Sequence, residues 1–131
     1  MASIAQIIQP KIYVEIGIYQ AATLNAVARY CGHAIGVDIN PAAGKFIKAK
    51  NAEFVSGSNL ELMTLCASRN TVIDFAFIDG DHRSEAVMSD FVEVDKFASK
   101  TPLSSFTIRG PKIRKMPPTD VVPTLIACRL S

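Results

Sequence analysis

From residue 12 to about residue 98 the chain alternates short apolar runs with stretches whose apolar residues recur at helical spacing. Ile12–Ile16 is a β-branched run of strand length. Across Ala22–Cys31, Leu24, Val27, Ala28 and Cys31 share one helical face, and Gly32 is placed to stop the helix. Ala34–Asp38 reads as a second strand. Asn40-Pro41 then supplies an N-cap and a first helical residue for Ala42–Lys50. Glu53–Ser56 is a brief third strand, and Ser58 with Glu61 forms a capping-box pattern that opens Leu60–Ser68. Val72–Ile78 is the most apolar run, as expected of a strand covered on both faces. A helix over about residues 83–98 sets Val87, Phe91, Val94 and Ala98 on one side. Four β-α units in series predict an α/β fold with a doubly wound, Rossmann-like parallel sheet. Right-handed crossovers with reversal after the third strand predict the order 3-2-1-4.

The pattern ends near Lys100. Five of the seven prolines (Pro102, Pro111, Pro117, Pro118, Pro123) fall beyond it, with five basic residues and a single acid, Asp120. The chain therefore divides into a βα domain over residues 1–100 and a basic, proline-rich extension over residues 101–131, read as an irregular tail. Phe106–Arg109 and Val121–Cys128 could form short strands, but Pro123 would confine the second to an edge or break it.

Bulk properties narrow the class. The chain has 131 residues, is 49% hydrophobic and 20% charged, and carries a net charge of +2. That suits one soluble domain and argues against a nucleic-acid partner, which calls for a strong basic excess. No apolar run nears the roughly 20 residues of a membrane span, and no signal peptide is read at the N-terminus. Cys31, Cys66 and Cys128 are odd in number and widely spaced, which fits reduced thiols and a cytoplasmic location better than disulfides or zinc.

The turns after the four strands are where a parallel sheet binds ligands. In the first, Glu15 and Gly17 end an apolar run, and glycine permits close approach of bare backbone to a ligand. Asp38 closes the second strand and can accept hydrogen bonds from both hydroxyls of a ribose. Gly17 is the only glycine of its turn, so G-x-G-x-x-G is absent and a dinucleotide pyrophosphate is poorly served. An acid at position 15 instead suits a cationic, phosphate-free nucleoside. S-adenosylmethionine, with its ammonium, sulfonium and ribose, has that character.

With these residues in view, the chain resembles the class I S-adenosylmethionine-dependent methyltransferases. It is most similar to the small-molecule O-methyltransferase branch whose fourth strand ends in D-G-D-H. VEIGIYQAATL resembles the family's first motif, GVDINP its ribose-binding strand end, FVSGSNLEL its third-strand loop and FIDGDHRSEAVMSDF its fourth-strand segment. The resemblance spans roughly residues 12–95. It implies that Glu15 and Gly17 line the methionine end of the cofactor, that Asp38 holds the ribose and that Ile39 lies against the adenine; Tyr19 lies in the same cofactor turn and is counted with the binding residues. Ser58 and Asn59 occupy the loop that contacts the adenine ring, and Asp79 stands near the methyl group. In metal-dependent relatives the first aspartate of D-G-D binds Mg2+ and the second is the general base. Those roles carry over to Asp79 as metal ligand and to Asp81, with Asp79, as catalytic residues.

Three departures accompany the likeness. Ala21 stands where the family has the second glycine of its first motif, and Ser58 replaces the common acid of the third loop. Beyond Lys100 nothing matches the family's further strands, so the sequence leaves two functions open. One is methyl transfer to the hydroxyl of a small-molecule acceptor. The other is a truncated or degenerate cofactor-binding domain without catalysis. A nicotinamide-dependent oxidoreductase is disfavoured by the single glycine of the first turn. His82 near the site reads as a structural hydrogen-bonding residue and His33 as a loop residue. A sheet ending at its fourth strand would expose an apolar edge, to be covered either by residues 104–128 folding back as a substitute strand or by a second chain; the prolines of the tail favour the second, a homo-oligomer through that strand.

Overall fold

The computed structural model describes residues 1–79, 84–98, 107–109 and 125–129. Helix α1 (Ala2–Ile8) leads into strand β1 (Ile12–Ile16). There follow α2 (Ala22–Val27), β2 (His33–Asp38), a 3-10 segment (Pro41–Phe46), β3 (Ala52–Ser56), α3 (Asn59–Arg69), β4 (Phe75–Ile78) and α4 (Ser84–Asp95). Two further strands, β5 (Thr107–Arg109) and β6 (Leu125–Arg129), lie in the C-terminal segment. The six strands form one sheet in the order β3-β2-β1-β4-β6-β5, every pairing parallel. The predicted order 3-2-1-4 is present, and the carboxyl ends of β1 and β4 meet in the middle of the sheet.

Alternation along each strand divides the core into two layers. Val14 and Ile16 of β1, Ile35 and Val37 of β2, and Ala76 and Ile78 of β4 face Leu62, Met63 and Cys66 of α3 and Val94 of α4. Tyr13, Ala34, Phe75 and Phe77 face the opposite layer, where Ala5 of α1 and Leu24 and Val27 of α2 pack. The rings of Tyr13 and Phe75, paired across β1 and β4, have centroids 5.1 Å apart. Each fully buried aliphatic side chain in these layers contributes about 1.5–3 kcal/mol. Glu15 shares its parity with Tyr13, so its side chain faces the α1–α2 layer.

Several elements differ from the expected ones, each for a local reason. The α-helical part of Ala22–Cys31 ends at Val27 and tightens into a 3-10 turn, Ala28–Tyr30. The segment expected as a helix over Ala42–Lys50 is a 3-10 turn capped by Asn40, whose Oδ1 accepts from the Ala42 N–H. It stops because Asn25 of α2 binds the backbone beyond it. The Asn25 amide donates to Phe46 O and its oxygen accepts from the N–H groups of Lys48 and Ala49. The fourth strand begins at Phe75, not Val72: Asp74 turns its carboxylate onto the N–H groups of Lys11 and Ile12. His33 starts β2, its Nε2 3.1 Å from Glu53 Oε1, and Arg69 donates to the same oxygen. Helix α1 was not foreseen.

The expectation of a bare fourth-strand edge is corrected. Backbone pairing runs Phe75↔Leu125 to Ile78↔Cys128, and β5 pairs in turn with β6, so β4 is interior. Pro123 lies outside the described residues, and the ladder of β6 with β4 runs over Leu125–Cys128. The segment read as an irregular tail thus supplies two strands, and association through an exposed β4 loses its premise.

Candidate functional site

At the carboxyl ends of β1, β2, β3 and β4 lies an open cleft of about 560 Å3. That size falls within the roughly 300–1,000 Å3 range of ligand clefts. Gly17, Tyr19, Asp38, Ile39, Ser58, Asn59 and Asp79 all line it, so seven of the residues predicted from sequence come together here.

The first turn is built by left-handed backbone. Gly17 has φ 84°, Tyr19 φ 47° and Ala21 φ 53°. Glycine adopts this region freely, whereas an L-residue gives up roughly 1–2 kcal/mol there. Ala21 therefore takes, at some cost, the conformation for which a second glycine would be suited, and its methyl is fully buried against α2. The turn is held to β2, with the N–H of Gly17 donating to Val37 O at 2.8 Å.

Asp38 organises both neighbouring turns. Its Oδ2 accepts from the Tyr19 N–H and its Oδ1 from the Asn40 N–H, each at 2.9 Å. A carboxylate offers about four acceptor sites, so two remain for a ligand. Beside it Tyr19 and Ile39 are 75% and 81% exposed and give the cleft an apolar rim. On the β3 side, Gly57 sits at φ 140° and donates its N–H to Asp38 O at 2.9 Å. The capping box forms as predicted: Glu61 Oε2 accepts from both the N–H (2.7 Å) and the hydroxyl (2.8 Å) of Ser58, while Ser58 Oγ accepts from the Leu60 N–H. These donors hold the exposed Glu61 carboxyl below its ordinary range.

Glu15 does not line the cleft with the others. It is 2% exposed and receives the Tyr13 hydroxyl at 2.7 Å. Burial, aided by the charge of Asp79, lifts its pKa to about 8, against the opposing pull of the Tyr13 hydrogen bond. The same burial, with Glu15 beside it, raises the Tyr13 phenol well above its usual value. Glu15 is thus largely neutral at pH 7, where a solvated glutamate would be an anion.

Asp90 of α4 is an ionisable lining residue that sequence reasoning missed. Its signal was its place one helical turn before Val94, on the row that faces the sheet. Ile16, Val37 and Gly57 also line the cleft unforeseen. Asp81 and His82 lie outside the described residues. Among the described residues no group of three or more His, Cys, Asp or Glu side chains is placed to hold a metal ion. Among them, too, no helix is long and apolar enough to cross a membrane. Cys31 and Cys66 are free thiols whose pKa values burial raises.

A Rossmann-like parallel sheet with a glycine turn and acids at its strand ends is a framework for nucleoside cofactors. A family model described as a methyltransferase domain matches residues 14–101, more than half of the chain, and the protein belongs to that family. No curated protein matches it.

Proposed function

We propose that the chain binds S-adenosylmethionine in this cleft and directs its methyl group to the hydroxyl of a small-molecule acceptor. The observation that carries the reading is the charge of the lining. Among the described residues the acids that line the cleft are Asp38, Asp79 and Asp90, and no Lys, Arg or His joins them. Such a lining favours a cationic nucleoside and repels a pyrophosphate. The residues fit the group: Asp38 has acceptor sites left for a ribose diol, Gly17 offers close approach, and Ile39 offers an apolar face to a base.

When bound, the cofactor supplies an electrophilic methyl on a sulfonium, which passes to the acceptor oxygen as the carbon–sulfur bond breaks. The chain's own residues orient and deprotonate. Asp38 fixes the ribose while it braces the Gly17–Ala21 turn. Asp79, at the end of β4, stands by the reacting groups, and the proton leaving the hydroxyl goes to the carboxylate of Asp81 or Asp79. The second reading, a truncated or degenerate cofactor-binding domain without catalysis, draws on the lack of family motifs beyond Lys100; the strands β6 and β5, which extend the sheet past β4, favour the first.

Calorimetry with S-adenosylhomocysteine and with NAD tests the reading. The first is expected to bind and the second not. Asp38→Ala should weaken S-adenosylhomocysteine by about 1.5–3 kcal/mol, the worth of hydrogen bonds to a charged group. Preference for NAD, or unchanged affinity in that variant, overturns it.

A further inference from the structure

Glu15 takes no part in the chemistry assigned to the cleft, yet it is an acid buried directly beneath it. It is 2% exposed, and the layer it faces is built from Tyr13, Phe75, Phe77 and the apolar sides of α1 and α2. Its cross-strand neighbours, Gly36 of β2 and Phe77 of β4, carry no charge. The groups that act on the carboxyl are few. The Tyr13 hydroxyl donates to Oε2 at 2.7 Å, Asp79 at the end of β4 adds a like charge, and the amino group of Met1 opposes it. Neither α1 nor α2 holds an ionisable side chain, and Arg29, Lys45, Lys48 and Lys50 of the neighbouring turns are exposed. A carboxyl so buried, with a neutral phenol as its hydrogen-bond partner, keeps its proton at pH 7. Its pKa of about 8 agrees.

That proton stands close to where a cation would come. Ile16 and Gly17, the next two residues of the chain, line the cleft, and Gly17 interposes no side chain. The turn is also fixed in place, because the Gly17 N–H is held by Val37 O. In a site of low dielectric, an opposite charge within about 4–6 Å favours the ionised form of a carboxyl by roughly ten- to a thousandfold. The Tyr13 hydroxyl is already aimed at Oε2, and an O–H donor serves an anion better than a neutral acid. Resting on the cofactor reading, we infer that Glu15 is a positioning residue acting from below the cleft: arrival of the cofactor's cationic end at the Gly17 turn expels the Glu15 proton to solvent. The carboxylate left behind then holds the cation through its field and without contact. Binding is thereby tied to pH. Below about pH 8 the empty protein carries a proton that the loaded protein has lost, so affinity rises with pH up to that value and then levels.

The test counts protons. S-adenosylmethionine is titrated into the full chain by calorimetry in phosphate and in Tris, whose heats of ionisation differ, at several values of pH. At pH 7 the wild-type protein is expected to release about 0.5–0.9 proton per cofactor bound, and its affinity to rise by at most about tenfold per pH unit. Glu15→Gln keeps an acceptor for Tyr13 but has no proton to give, so its release should be close to none. Tyr13→Phe takes away the donor that serves the anion, and the release should move to higher pH. Thermal melts check that both variants keep the fold. Binding without proton release in the wild type overturns the inference and leaves the cofactor reading intact, and so does a release that Glu15→Gln retains. A pH profile that Tyr13→Phe does not move overturns it as well. Failure of S-adenosylmethionine to bind sinks both.

Discussion

Glu15 shows how one buried group can turn an expected contact into a thermodynamic liability. Its place beside Gly17 predicted a cleft anion, whereas strand alternation sends the side chain beneath the cleft to Tyr13. Its pKa is raised from 4.5 to about 8, so between those values the folded protein holds a proton that the unfolded chain has released. Stability must therefore fall as pH rises through that window, by at most about 1.4 kcal/mol per pH unit for one proton. Glu15→Gln removes the titration and still accepts the Tyr13 hydroxyl. Its stability relative to wild type is expected to climb from pH 5 to pH 8 and then level, as read by urea unfolding at each pH. A constant difference would mean that Glu15 ionises in the folded state as readily as in water.

Among the elements, the β3–α3 connection is the most tightly specified. Its capping box was legible in the sequence because Ser58 and Glu61 have the required spacing, and the reciprocal hydrogen bonds form. The need for Gly57 was less visible. Its φ of 140° is closed to side chains, and an added Cβ would stand 2.5 Å from Glu61 Oε2. Ser58→Ala should cost about 1 kcal/mol through loss of the cap. Gly57→Ala should cost more, about 2–3 kcal/mol, because backbone strain is added to a displaced Glu61. Denaturant unfolding of the two variants ranks them, and the reverse order would show that the turn relaxes around the methyl. The shortened 3-10 turn at Pro41–Phe46 teaches the opposite lesson. Its helical pattern was sound, but Asn25, distant in sequence, claims the backbone groups that a longer helix would need.

At the scale of the molecule, β6 decides whether the sheet is closed against self-association. It pairs along the whole of β4, covering a ladder of N–H and C=O groups between strongly apolar faces. Removing residues 125–131 would leave β4 with a free edge, a template for pairing with another chain. Light scattering over a concentration series is expected to show association of the shortened protein and a monodisperse full chain. If both stay monomeric, β4 is protected by something other than β6.

The periodicity of residues 12–98 was sufficient for the parallel sheet, its order and the turns that line the cleft, because burying both faces of a strand and one face of a helix leaves a strong local imprint. Gly17, Asp38, Ser58 and Asp79 were legible for the same reason: they stand at strand ends, and a parallel sheet gathers those ends at one edge. Tertiary structure alone decided that Glu15 turns inward, that Asp90 reaches the cleft and that β6 covers β4. Each depends on what lies across a layer or an edge from a residue far away in the chain. Contacts of that kind are set by packing and pairing between elements, which no spacing within a single element encodes.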